Sequence, residues 1–249
     1  MFIIWLAVVL GNISFLFGQS NEKRLLIDDQ DVILQKLQTI TNRMTQLENE
    51  NSAMKKQLQT IEVNKKQVTT VYTIWGRKSC PAVNGTSTIY SGLVAGKHWN
   101  EKGSGVSTLC LPHDPEPTPI NFPSKLHGGY YARIWGSEYQ FNFRNVAIDD
   151  DVPCSVCQVH EASTNLMIPA KTTCPVGWHK QYSGVLIGAW YDEYPSEYIC
   201  MDENSEYFEG TRSHNDDGRT LYPVRARCGS LPCPPYSDYH YISCIVCSL

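Results

Sequence analysis

A cysteine pattern is written twice in this chain of 249 residues. Cys80 and Cys110 precede Cys154-Ser-Val-Cys157; Cys174 and Cys200 precede Cys244-Ile-Val-Cys247. The step from Cys110 to Cys154 equals the step from Cys200 to Cys244. Other landmarks travel with the cysteines: Cys80-Pro81 and Cys174-Pro175, Tyr90-Ser-Gly92 and Tyr182-Ser-Gly184, Leu109-Cys-Leu111 and Ile199-Cys-Met201, Gly136-Ser137 and Gly229-Ser230. A copy this ordered predicts a duplicated unit, with subdomains at 71–160 and 166–249.

The ten cysteines all follow residue 79. Residues 1–20 read instead as a signal peptide, with an apolar run from Phe2 to Leu10 and small residues at Gly18 and Ser20 suited to cleavage. Gly11-Asn-Ile-Ser14 interrupts the run and leaves it marginal for spanning a bilayer. The expectation is a secreted, extracellular protein with no membrane association once the leader is removed. In an oxidising compartment an even cysteine count implies disulfides. The two C-x-x-C pairs stand too far apart in sequence for a compact zinc site. Their parallel positions also suit structural roles better than a redox centre. Residues three apart on a strand face opposite sides. Cys154 and Cys157 are therefore expected to bond elsewhere rather than to each other, and so are Cys244 and Cys247. Each half offers two earlier cysteines as their partners. Cys228 and Cys233 remain, close enough for a local loop.

The segment 24–67 reads as a helical stalk. Over 26–65 a heptad repeat places Leu26, Ile33, Ile40, Leu47, Met54 and Ile61 at d, and Gln30, Leu37, Met44, Asn51, Leu58 and Lys65 at a. No Gly or Pro interrupts it. Alternating 3 and 4 spacing sustained over this length predicts a coiled coil ~60 Å long. Arg43 at g can meet Glu48 at e of a partner, and Glu50 can meet Lys55, which suits a parallel, in-register assembly. Leu at a with Ile at d leans toward trimers or tetramers, whereas a buried Asn51 at a leans toward a dimer and fixes register. A parallel homotrimer is the resulting expectation.

Beyond residue 70 the chain turns to Gly, Pro, Tyr and Cys, and β-branched and aromatic residues gather in short runs. Strands are predicted at Thr70–Trp75, Tyr130–Trp135, Tyr139–Phe143 and Tyr239–Cys247. His113-Asp-Pro-Glu-Pro-Thr-Pro119 must be a loop, because its prolines remove donors and disfavour helix. The fold class that follows is mainly β: duplicated, disulfide-rich β subdomains preceded by an α-helical coiled coil.

Here the residues resemble a known family. Cys-Pro, Tyr-Ser-Gly, Gly105-x-x-x-Leu-Cys-Leu111, the Ala132-Arg-Ile-Trp135 run and a doubled Cys-x-Val-Cys are similar to the C-terminal non-collagenous domain of short-chain, spongin-type invertebrate collagens. The likeness to the corresponding domain of type IV collagen is more distant. The resemblance covers about residues 71–249. It implies a β-rich head of two homologous subdomains that trimerises. It also implies nested disulfides: Cys80–Cys157, Cys110–Cys154, Cys174–Cys247 and Cys200–Cys244. The chain departs from such collagens in having no Gly-X-Y run. It departs from type IV in having one local cysteine pair, Cys228–Cys233, where that pattern has one in each half.

Catalytic chemistry is not suggested. The seven histidines are scattered, and no nucleophile elbow, phosphate loop, zinc-protease motif or cofactor fingerprint is present. Ser91 and Ser183 recur in the two Tyr-Ser-Gly copies, which suits a structural turn better than a single nucleophile. Asn84-Gly-Thr86 is a glycosylation sequon. Asp149-Asp-Asp151 and Asn215-Asp-Asp217 read as solvated acidic turns rather than calcium loops, since neither has ligand spacing. A net charge of −4 gives no support to nucleic-acid binding. The functional expectation is a secreted, oligomeric structural protein of extracellular matrix, including the organic matrix of a mineralised tissue. The alternative is a secreted trimeric recognition protein, lectin-like, whose stalk multiplies weak contacts to glycans or other ligands.

Overall fold

The computed structural model describes residues 2–83, 85–123, 127–209 and 218–249, with backbone alone at 2–29, 64–67 and 127. Asn84 of the sequon and the Asn215–Asp217 turn lie outside the described residues. The chain is mainly β, with one N-terminal helix and five disulfides. It divides into two units, Met1–Val63 and Asn64–Leu249.

The first unit is the helix α1, which runs Phe2–Gln67 through both the predicted leader and the heptad segment. Its second half is rich in Leu, Gln, Lys, Glu and Met, all good helix formers. The hydroxyls of Thr39, Thr41, Thr45 and Thr60 donate to carbonyls four residues back, and Gln46 donates to Glu50 along the same face. Among the described residues no helix is long and apolar enough to cross a membrane.

In the second unit the strands are β1 (Thr69–Trp75), β2 (Thr86–Gly96), β3 (Leu109–Pro112), β4 (Trp135–Tyr139), β5 (Pro153–His160), β6 (Asn165–Pro169), β7 (His179–Gly188), β8 (Ile199–Asp202), β9 (Arg219–Pro223) and β10 (Ser243–Ser248). They join in the order β6-β10-β7-β8-β1-β5-β2-β4-β9, with β3 beside β2 and β9 also touching β7.

Two sets of pairings carry the same register. β5 lies between β1 and β2, so that Cys154 faces Trp75 and Gly92. β10 lies between β6 and β7, so that Cys244 faces Pro169 and Gly184. β3 sets Pro112 against Gly92 and Leu109 against Ala95; β8 sets Asp202 against Gly184 and Ile199 against Ile187. Even the irregularities agree: the ladder shifts between Thr88 and Tyr90 in one set and between Val246 and Cys247 in the other. A bulge at matching places adds matching twist, so both ladders curl alike.

Two buried clusters fill the head. One gathers Val94, Cys110, Tyr139, Cys154, Ile187, Met201 and Leu221; the other gathers Tyr72, Ile74, Cys157, Tyr182, Cys200, Cys244 and Val246. Each draws residues from both 71–160 and 166–249, so neither half of the head buries its apolar surface alone.

Several expectations need correction. Tyr130–Ile134 is irregular and exposed rather than a strand; β4 begins only at Trp135 and ends at Tyr139, short of Phe143. β10 begins at Ser243, and Tyr239–Ile242 precede it as turn and bridge. Gly136-Ser137 and Gly229-Ser230 are not equivalents either. Gly136 pairs with Ala95, while the partner of the corresponding Ile187 is Pro223. Gly229 sits in the turn closed by Cys228 and Cys233.

Candidate functional site

The structure presents three built features: a ladder of disulfides, an apolar stripe and a cleft. The disulfides come first because they explain the doubled motif. Cys157 bonds Cys80 and Cys154 bonds Cys110; Cys247 bonds Cys174 and Cys244 bonds Cys200. This is the nested pairing that the resemblance implies. Cys228 bonds Cys233. Within β5 and β10 the two cysteines point to opposite faces, so each central strand is tied on both sides.

Tyr-Ser-Gly belongs to the same device. Gly92 and Gly184 sit mid-strand, where an added Cβ would lie 1.8 Å from the Leu111 carbonyl oxygen and 1.7 Å from that of Met201. Only glycine lets β3 and β8 come that close. Two residues earlier, the hydroxyls of Tyr90 and Tyr182 donate to the carbonyls of Cys110 and Cys200, each at 3.1 Å. The tyrosine thus fixes the carbonyl of the cysteine that the disulfide holds. Ser91 and Ser183, expected in turns, lie in β2 and β7; Ser91 hydrogen-bonds Ser155 and donates to the Lys78 carbonyl, and Ser183 donates to Glu203. Neither hydroxyl has a histidine among these partners.

The apolar stripe lies on α1. Ile33, Leu37, Ile40, Met44, Leu47, Met54, Leu58 and Ile61 are all exposed, each near half of its full area, and Asn51 shares the exposed face. The side chain of Leu26 lies outside the described residues. A row of eight large apolar side chains in water is unfavourable by ~25 cal/mol per Å² relative to burial.

The cleft, of about 320 Å³, lies between β1, β6 and β8 and is walled by Trp75, Tyr72, Tyr182, Tyr198, Met167 and Asn165 among others. Tyr72 and Tyr182 stack with ring centroids 5.9 Å apart. The Tyr182 hydroxyl is held by the Thr73 and Cys200 carbonyls, whereas the buried Tyr72 hydroxyl has no hydrogen-bond partner. Burial pushes both phenols up in pKa, and the Asp202 charge adds to this. Neither hydroxyl ionises near neutral pH, so the cleft offers aromatic faces and one neutral donor rather than a nucleophile.

Two buried charged groups outside the cleft have partners within the fold. Arg219 is buried and donates to Thr108 and to the Glu197 carbonyl at 2.8 Å. Burial lowers its pKa to about 10 against the raising effect of Glu197. Asp202, also buried, accepts from the Asn204 amide and from Arg77 at 3.4 Å. Burial raises its carboxyl, with those two contacts opposing.

Asp149 and Asp150 are buried, which corrects their reading as a solvated turn. The Asp150 carboxylate accepts the Ala147 amide at 2.8 Å, and its carbonyl accepts the Tyr139 amide. Among the described residues no group of three His, Cys, Asp or Glu could hold a metal ion.

No family model matches this chain, and a search of curated proteins returns no match.

Proposed function

We propose that this is a secreted structural protein of extracellular matrix that works as a parallel homo-oligomer, most simply a trimer. The observation that carries it is the heptad stripe, whose described large apolar residues from Ile33 to Ile61 are all exposed. A coiled coil buries that stripe, and knobs packed into holes convert its exposure into association energy. The matching registers of the two strand sets support reading the head as two copies of one unit. Five disulfides, with no free cysteine, suit an oxidising compartment. The fit to the collagen-type non-collagenous head rests on the doubled Cys-x-Val-Cys and its pairing. The coiled coil then stands where such proteins carry a triple helix.

Sedimentation velocity on secreted 21–249 tests the association: an oligomer is expected, and Leu37→Glu with Met44→Glu should lower its order. A monomeric parent chain would overturn the stalk. Tissue extraction tests the role, since a matrix component should resist salt and leave the insoluble fraction only with denaturant. Recovery wholly in body fluid would favour the recognition reading. That second reading draws on the cleft, where stacked tyrosines and an unpartnered Tyr72 hydroxyl suit a small ring-bearing ligand.

A further inference from the structure

β1 and β8 run side by side for one residue pair only, Trp75 against Met201 in parallel. Continuing that register backwards would set Thr73 against Ile199 and Val71 against Glu197. The strands part there instead, and the cleft of about 320 Å³ occupies the gap, with Asn165 and Met167 of β6 also on its wall. This gap is not an edge waiting for another strand. The carbonyls of Val71 and Thr73, which a strand added to β1 would need, already have donors: Asn165 Nδ2 at 2.7 Å and the Tyr182 hydroxyl at 3.1 Å. The cleft therefore suits a compact ligand rather than an extended backbone, and small-ligand sites begin at ~300 Å³.

Its polar groups are held in place by the fold. Asn165 uses both amide hydrogens, on the Thr70 hydroxyl at 2.8 Å and on the Val71 carbonyl, so its Oδ1 is left to accept. Glu197 Oε2 accepts the Thr108 amide at 2.7 Å, and Oε1 has no partner among the described residues. Tyr72, 5% exposed, lines the cleft and carries a hydroxyl without a hydrogen-bond partner. Hydroxyl groups on a ligand satisfy all three, donating to the two acceptors and accepting from Tyr72. Beside these groups stand the half-buried Trp75 and the exposed Tyr198, whose rings offer flat apolar faces.

Charge narrows the choice further. Among the described residues no Lys, Arg or His lines the cleft, which disfavours an anion. Glu197 is not a bare negative charge either. The buried Arg219 guanidinium donates to the Glu197 backbone carbonyl at 2.8 Å, and the Glu197 charge raises the Arg219 pKa against the lowering effect of burial. That neighbour weakens the pull on an ammonium group. A neutral ring with an apolar face and adjacent hydroxyls fits what remains.

We infer that the cleft is a subsite for a neutral sugar ring, with its C–H face on Trp75 and Tyr198 and its hydroxyls donating to Glu197 Oε1 and Asn165 Oδ1. This deepens the recognition reading above and rests on it. One such contact is weak, with a dissociation constant on the order of 1 mM. Copies of the head carried on one stalk multiply it.

Saturation-transfer NMR on the full secreted chain tests this, with the methyl glycosides of glucose, galactose, mannose, fucose and N-acetylglucosamine as probes. At least one should receive transfer, strongest at its ring C–H protons. Glu197→Gln removes the charged acceptor, and Tyr198→Ala removes a stacking face at an exposed position. Each should weaken that glycoside at least about tenfold. Unchanged circular dichroism and melting midpoint separate lost binding from lost fold. Transfer to no glycoside, or transfer that neither variant weakens, overturns the subsite. Tighter binding of n-butylammonium or of methyl glucuronide than of every neutral glycoside overturns it too. A protein held wholly in insoluble matrix that still binds a glycoside through Glu197 and Tyr198 overturns the recognition reading and leaves the subsite standing. One found free in body fluid that binds no glycoside does the reverse.

Discussion

The Tyr182 hydroxyl lies 3.1 Å from the Cys200 carbonyl oxygen, and it reaches the Thr73 carbonyl at the same distance. One phenol thereby joins β7, β8 and β1 inside the core. Removing it leaves two buried carbonyls short of a donor, at ~1–3 kcal/mol. Tyr182→Phe should lose that much by urea unfolding, and Tyr90→Phe less, because Tyr90 is partly exposed. Equal losses would show that the second acceptor adds nothing.

Gly184→Ala should be the more damaging of small changes. Its Cβ would sit 1.7 Å from the Met201 carbonyl oxygen, so β8 must leave β7. A loss of at least about 3 kcal/mol is expected, as for other forced backbone shifts. Gly103, which has open space around it, is the control. A Gly184→Ala chain as stable as Gly103→Ala would refute the close approach.

The long and short disulfides should differ in worth. In the chain-entropy view the Cys200–Cys244 bridge stabilises by ~4 kcal/mol and the Cys228–Cys233 bridge by ~2 kcal/mol. Paired alanine substitutions, compared by denaturant midpoints, check the order. Non-reducing peptide mapping should also link Cys154 and Cys157 to different peptides, and a direct Cys154–Cys157 bond would refute the ladder.

Asp202 gives the head a pH signature. Its carboxyl is raised by burial, so the native state takes up a proton before the unfolded chain does. Its contribution is therefore most favourable in acid and is lost as pH rises through the raised carboxyl range. Asp202→Asn should gain stability relative to the parent on going from about pH 3 to about pH 7. A variant weakened at neutral pH but equal in acid would mean that the Arg77 ion pair outweighs burial.

The disulfide ladder of the head was legible because its cysteines recur in the same order in both halves. The positions of Cys154 and Cys157 on one strand required partners on opposite faces, and each half offered two earlier cysteines; which bonds which came only from the resemblance. The Gly-Ser landmark misled for a physical reason: Gly136 lies in a ladder while Gly229 serves a turn, and dipeptide identity cannot tell the two apart. Asp149 and Asp150 misled because an acidic run was taken as water-facing, when local amides satisfy it inside. Tyr130–Ile134 has strand composition and an irregular backbone, since β propensity is realised only where a neighbouring edge exists.

The nested bridges also decide how the molecule carries load. Pull on the head from its two ends, and the path runs from Cys80 across to Cys157, then from Cys174 across to Cys247. Only the links before, between and after those loops can lengthen. Everything inside them, most of both central strands included, is bypassed by covalent bonds. A head wired this way transmits tension with little extension even if its hydrogen bonds let go, which is the behaviour of a rivet rather than a spring.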